Sequence, residues 1–353
     1  MKSDRPRSRR RKWIFKILIL VVTVTFMLLL GEVGARLFSA PLIMPRWVES
    51  APYGIRKQIG NIRGTIVTPE YRHKFNTNAR GFRGTRDYAV PKPAKVFRII
   101  TLGDSVVDGY GVEDDQTFAA VLEKKLSAQR PTEVINLGIA GFSTAEELIQ
   151  LQNVGLEQQP DLVVLGYFVN DHFENVTSEL YTLENGQLVR NSKPADPALF
   201  WRDNLSKIPG YTFLCQRSYL VNIVRSKLSS HFRNKLSEKH KLGGNSYVTD
   251  KPSDEQIALT AALLDEFIKT CADRGIKLVI LNLPMQQDGA WMRNMPVNKL
   301  KRAGQTQVVD VAAEIFQGRD IWDIAHKESY HPKPLGHQLL ADWLADYVQK
   351  KIW

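Results

Sequence analysis

From Val96 onward the chain alternates short, β-branched apolar runs with stretches whose apolar residues recur at helical spacing, and that alternation leaves few folds open. "VFRIITL" (96–102), "EVINLG" (133–138), "DLVVLGYF" (161–168), "IKLVILNL" (276–283) and a short "QVVDV" (307–311) read as strands. Helices are predicted over 117–129, 144–157, about 253–273 and 335–350. Strands apolar on both faces and separated by helices build a parallel sheet covered on both sides. The expectation is an α/β domain over 96–353, interrupted by an insertion at about 172–252. Within the insertion, Asn185-Gly186 predicts a hairpin. An aromatic, basic stretch with Phe200, Trp201, Tyr211, Phe213 and Tyr219 comes next, and it either covers a site at the sheet edge or packs onto the body or a partner.

The amino-terminal end has a different character. Residues 1–16 hold eight Lys or Arg against one Asp, which accounts for most of the net charge of +11. The remaining body is only mildly basic, so no nucleic-acid partner is read from it. A basic tail (1–12) is followed by an apolar run, and Trp13 to Leu30 spans 18 residues interrupted only by Lys16, a side chain able to snorkel. Residues 13–38 are predicted to be a transmembrane helix. Basic residues on its amino side keep that side in the cytoplasm and export the chain beyond the helix. The competing reading is a signal peptide cleaved near "VGA" (33–35), disfavoured by the length of the run and by Glu32 beside the site. Pro-rich, aperiodic residues 39–95 read as a membrane-proximal linker with edge strands. Cys215 and Cys271 stand too far apart for metal or redox spacing. An exported compartment permits them to pair, and two unpaired, packed cysteines are equally consistent.

The first strand runs into "LGDSVVDGYGV", which puts Ser105 on a strand-to-helix turn at the carboxyl edge of the sheet, where open α/β sheets hold ligands. A hydrolytic serine needs a base, a group that orients the base, and donors where oxyanion charge develops. The second strand is followed by "NLGIAGFST" with Gly141, whose N–H no Cβ obstructs. The third ends in "VND", with the amide of Asn170 at the same edge. "ESYHPKPLGH" places His331 before the last helix with Glu328 three residues earlier. Singly these are an ordinary turn glycine, a helix cap and a surface loop. Together they lie in order at the carboxyl ends of successive elements.

Those four blocks resemble the SGNH hydrolases, also called GDSL esterases, of the membrane-anchored bacterial type. The resemblance spans roughly Phe75 to Tyr347, and it is weakest in the insertion. It implies a three-layer α/β/α, flavodoxin-like domain with a central parallel sheet, preceded here by the single transmembrane helix. It implies hydrolysis or transfer of acyl esters with Ser105 as nucleophile and His331 as base. It further implies an oxyanion hole made by the N–H groups of Ser105 and Gly141 and the amide of Asn170, with no need for a metal or organic cofactor. The family usually carries Asp three residues before the histidine. Here that position is Glu328, preferred over a second pair, Asp323 with His326, which lacks the following Pro and Gly-His. His337 and Asp342 read as structural.

An exported, anchored enzyme of this kind is expected at a bacterial inner membrane. It would act on O-acyl, in particular O-acetyl, esters of envelope or secreted polysaccharide, beside the polysaccharide machinery. An O-acetyltransferase using the same residues, and an inactive scaffold or glycan-binding protein, are open alternatives.

Overall fold

The computed structural model describes residues 5–191, 198–240, 251–287 and 290–353. It begins with one continuous helix, α1 (Arg5–Phe38), whose 34 residues extend about 50 Å and leave the apolar side chains from Trp13 to Leu30 exposed. Two antiparallel hairpins follow. The first joins β1 (Val48–Ser50) to β2 (Arg56–Gln58), and the second joins β3 (Arg63–Val67) to β4 (Arg72–Asn76). Residues 39–95 are thus more than a linker, and neither hairpin is an edge of the central sheet. Along β4 alternate residues turn inward, His73 and Phe75 buried while Arg72 and Lys74 are exposed, the period of two that a half-buried strand requires. Ile66, Phe75 and Tyr110 make a small core of their own there, with Trp47 and Tyr71 packed against it.

The main domain then runs β5 (Phe97–Gly103), α2 (Ser105–Asp108), α3 (Phe118–Ser127), β6 (Thr132–Asn136), α4 (Thr144–Gln150), β7 (Leu162–Phe168) and α5 (Asp171–Thr177). A hairpin of β8 (Tyr181–Glu184) and β9 (Gln187–Arg190) turns through Asn185 and Gly186, both at positive φ as the Asn-Gly pair predicts. The insertion continues with α6 (Ala198–Ser206), α7 (Tyr211–Arg217) and α8 (Tyr219–Lys239). Next come α9 (Asp254–Ala272), β10 (Lys277–Leu283), the pair β11 (Met285–Gln287) and β12 (Ala290–Met292), and β13 (Gln307–Asp310). The chain closes with α10 (Val311–Glu314), α11 (Ile321–Ile324) and α12 (Pro334–Tyr347).

Five strands form the central sheet in the order β13-β10-β7-β5-β6, every pair parallel. Counted among themselves in chain order and read from the β6 edge, they run second, first, third, fourth, fifth, which is the flavodoxin-like order. The chain leaves β5 toward one side for β6 and then crosses to the other for β7. The crevice of such a sheet opens at that reversal, beyond the carboxyl ends of β5 and β7. One apolar layer packs Leu148 of α4 and Phe267 of α9 against Ile100 and Leu165; the other packs Leu122 of α3 and Leu340 of α12 against Ile99 and Val164. The domain is therefore the α/β/α sandwich the alternation demands.

Among the described residues, no helix of the insertion is hydrogen-bonded to Ser105 or His331. Its described helices pack toward α1 and the stretch before β1: Asn222 Oδ1 accepts from the Met44 N–H (3.1 Å), and Arg46 is 2.5 Å from Asp203 Oδ1. Cys215 in α7 and Cys271 in α9 are both buried and both free, so the pairing that an exported location permits is not made. Burial alone suits a thiol as a small hydrophobe, and it pushes the Cys271 thiol up to about 12.

Helix α9 shows how local chemistry sets an element's start. Ser253 caps it by accepting from the Gln256 N–H (3.2 Å), and the Gln256 side chain accepts in return from the Ser253 N–H (2.8 Å). Ser253→Ala removes one half of that capping box and should cost about 1 kcal/mol, read as a lower urea midpoint at unchanged slope. An unchanged midpoint would show that α9 owes its start to packing alone.

Candidate active site at the carboxyl edge of β5

Ser105 opens α2 immediately after β5. The turn is tight because Gly103 of β5 and Gly166 of β7 are register partners with Val107 Cγ2 lying over both. A Cβ on Gly103 would stand 2.2 Å from that methyl, and one on Gly166 would stand 2.4 Å from it. Side chains there would lift α2 off the sheet and carry Ser105 with it. Asp104 caps the helix, its Oδ1 accepting from the Val106 N–H at 2.9 Å. Asp108 ties the other end to two neighbours, accepting from Gln58 Nε2 of β2 (3.0 Å) and from the Ala140 N–H (3.2 Å). Both carboxyls are fully buried, and chiefly for that reason both are pushed up to about 7.

His331 comes from the loop between α11 and α12, 226 residues further along the chain, and its Nε2 lies 2.8 Å from Ser105 Oγ. Burial first, and then the neighbouring His326, push its imidazole down to about 4, against the opposing charge of Glu70. It is therefore neutral at neutral pH and free to take a proton. Gly141 follows β6 and Asn170 follows β7, the two strands that flank β5, so they stand on either side of the serine. Gly141 holds φ +75°, a conformation other residues adopt at a cost. Asn170 gives one amide hydrogen to Glu174 Oε2 (2.9 Å) and retains a second.

Residues 101–339 match the GDSL-like Lipase/Acylhydrolase family. The chain belongs to this family. No curated protein matches the sequence. Among solved structures the chain is similar to a lipase/acylhydrolase from Enterococcus faecalis, at 15% identity over 72% of this chain and 95% of that one, TM-score 0.39. It is similar to a psychrotrophic esterase from Pseudoalteromonas sp., at 14% identity over 72% and 98%, TM-score 0.40. It is also similar to an acetylxylan esterase from Geobacillus stearothermophilus, at 15% identity over 71% and 92%, TM-score 0.39.

In this GDSL-like acylhydrolase the far side of the His331 imidazole departs from what the sequence leads one to expect. His331 Nδ1 faces the Tyr71 hydroxyl at 3.2 Å. Glu328 is exposed, and only its backbone N–H is engaged, donating to Glu70 Oε1 at 2.8 Å. The loop explains this. His326 N–H donates to the His331 carbonyl and Tyr330 N–H to the His326 carbonyl, with Tyr330 at φ +58°. Such a closed turn leaves the residue three before the histidine on its outer rim, with its carboxylate in water. Asp323 is exposed too, and His326 packs its ring against Tyr71 at 4.9 Å. His337 is structural as expected, its Nδ1 accepting from the Phe118 N–H at 3.2 Å.

Tyr71 and Glu70 lie at the turn between β3 and β4, in the segment the sequence presents as a linker. Glu70 clamps the histidine loop, accepting from the N–H groups of Glu328 and Ser329, each at 2.8 Å. Burial, then the charge of Glu70, push the Tyr71 phenol up to about 12, so it stays protonated. From β2, Arg56 reaches across to donate to the Gly141 carbonyl and to Glu146 (3.2 Å). Three residues of the site's immediate surroundings, Arg56, Glu70 and Tyr71, thus come from hairpins ahead of the matched family region. Nothing in the local sequence marks Tyr71: it lies 260 residues from its partner, without a motif.

Proposed function

We propose that the chain is a serine esterase in which Ser105 is the nucleophile, His331 the general base and Tyr71 the group that orients the base. The observation that carries this reading is the 2.8 Å contact between Ser105 Oγ and His331 Nε2. To act as base His331 accepts at Nε2, so the neutral ring carries its hydrogen on Nδ1 and donates it to Tyr71. Ser105 Oγ attacks the ester carbonyl as His331 takes its proton. The oxyanion is met by the N–H groups of Ser105 and Gly141 and by the Asn170 amide. His331 returns the proton to the leaving alcohol, and water attacks the acyl-enzyme by the same route. Tyr71 orients the ring but, remaining neutral, adds no charge to stabilise the imidazolium; the nearby Glu70 carboxylate supplies some from a distance.

The proposed substrates are O-acyl esters of an envelope or secreted polysaccharide, a choice that rests on α1 acting as a membrane anchor with the domain exported. Retention of the anchor is favoured by Glu32, which accepts from Ser218 Oγ (2.7 Å) and the N–H groups of Tyr219 and Leu220 (3.0 Å each). Cleavage at 33–35 would remove it. The test is acetate release from an O-acetylated polysaccharide by the full chain, with and without a glycan acceptor. Release that an acceptor does not divert supports hydrolysis, and acetyl transfer in its place would identify a transferase. Because the free imidazole is held down to about 4, kcat/KM should stay level from neutral pH downward and fall only as pH drops through about 4. An acid limb centred near 6.5 would contradict the buried, neutral His331.

A further inference from the structure

The exposed apolar surface of the folded body is not scattered. Beyond α1, eleven large hydrophobic side chains are exposed among the described residues, and seven of them fall between Leu205 and Phe232 of the insertion. Ile208, Phe213, Leu228 and Phe232 are each more than half exposed. On α8, Val224, Leu228 and Phe232 recur every fourth residue and so line one face, with Ser226 and Ser230 on the other. Single exposed hydrophobes need no explanation, but a contiguous group of them marks an interaction surface.

Where that surface sits is set by α1. The Glu32 carboxylate caps the start of α8, Arg36 donates to the Arg217 carbonyl (2.6 Å), and its guanidinium lies 4.6 Å from the Tyr219 ring. Leu30 ends the unbroken apolar run, and Glu32 is two residues beyond it, a rise of about 3 Å. The junction of α7 and α8 is therefore held at the edge of the hydrocarbon wherever α1 spans it. Phe213 and Leu214 lie about one helical turn before that junction and Val224 about one turn after it. The sequence from Tyr211 to Lys239 carries six Lys or Arg against the single Glu238. An apolar face flanked by basic side chains is the composition of a helix that lies in the headgroup region of an anionic bilayer.

We infer that α7 and α8 form a membrane-docking surface that beds Phe213, Leu214, Val224, Leu228 and Phe232 into the headgroup layer of an anionic lipid surface beside the exit of α1. The inference rests on the reading of α1 as a membrane span. It also gives the insertion a purpose that covering the serine does not. Asn222 and Arg225 of α8 hold the Met44 backbone, and Asp203 of α6 holds Arg46, in the stretch that leads into the β1–β2 hairpin. A docked insertion thus fixes the hairpin side of the catalytic domain against the membrane, and with it the side from which Arg56 and Tyr71 reach the site.

The test uses the full chain in nanodiscs of phosphatidylcholine, with or without phosphatidylglycerol, carrying one nitroxide at a time on Leu228→Cys, Phe232→Cys, Ser226→Cys or Val24→Cys. The native Cys215 and Cys271 are buried. Docking predicts that nitroxides at 228 and 232 relax with oxygen rather than with a water-soluble nickel chelate, that 226 does the reverse, and that the contrast grows with phosphatidylglycerol. If 228 and 232 are as open to nickel as 226 while 24 lies in hydrocarbon, docking is overturned and the anchor stands. Nickel access at 24 as well would overturn the anchor and the docking with it. Equal depth with and without phosphatidylglycerol would overturn the choice of an anionic surface.

Discussion

Ser105→Ala is expected to lower ester turnover by at least about a thousandfold, leaving only what binding and the oxyanion donors supply without a nucleophile. The buried Asp104 and Asp108 beside it are held by backbone and side-chain donors, and neither replaces the hydroxyl on the face of His331. His331→Ala should cost about as much, because without a base to take its proton the serine is a poor nucleophile. The double variant should be no worse than either single one, since residues acting as a unit give non-additive losses. Initial rates on a short-chain chromogenic ester check this, with circular dichroism confirming the fold. A Ser105→Ala variant that keeps a tenth or more of parental turnover would sink the serine-esterase reading.

Tyr71→Phe should lower kcat by about ten- to a hundredfold with KM little changed, while Glu328→Gln should leave both near the parent. Phenylalanine keeps the ring that packs beside His326 and Tyr110 but removes the oxygen facing Nδ1. An N–H left without an acceptor in a buried site costs about 1–3 kcal/mol, and a free imidazole also samples orientations and tautomers unsuited to Ser105. Because the imidazolium donates more strongly than the neutral ring, losing its acceptor should also move the acid limb of kcat/KM further down, which a purely structural defect would not do. Glu328 has no such lever, since its carboxylate lies in water on the rim of the loop. A crippling Glu328→Gln beside a silent Tyr71→Phe would show that the histidine loop rearranges in solution to bring the glutamate in.

Much of the architecture was legible because it depends on patterns within a few residues. Runs such as "VFRIITL" and "DLVVLGYF" are apolar on both faces only if both faces are covered, and they are. Ser105, Gly141, Asn170 and His331 could be placed from sequence because each sits at the carboxyl end of a strand or just before a helix, and the parallel sheet gathers such ends along one edge. The Asn185-Gly186 turn was readable because its two positive φ angles suit those residues and few others.

Other features were settled only by tertiary packing. The family's spacing points to Glu328, but the turn between His326 and His331 rotates that side chain outward, and spacing along the chain does not record which way a loop faces. The place behind the imidazole is taken by Tyr71, whose neighbours in sequence are turn and strand residues with no catalytic pattern. What brings it there is the burial of His73 and Phe75 against Tyr110 in the small core under β3 and β4, which carries Tyr71 to a histidine 260 residues further along the chain. Likewise, Cys215 and Cys271 remain apart because α7 packs toward α1 while α9 packs on the sheet. Composition and periodicity determined which surfaces must be buried, and therefore the sheet, its layers and the edge that carries Ser105. Which distant side chain fills the space behind His331 was decided by how those buried surfaces met.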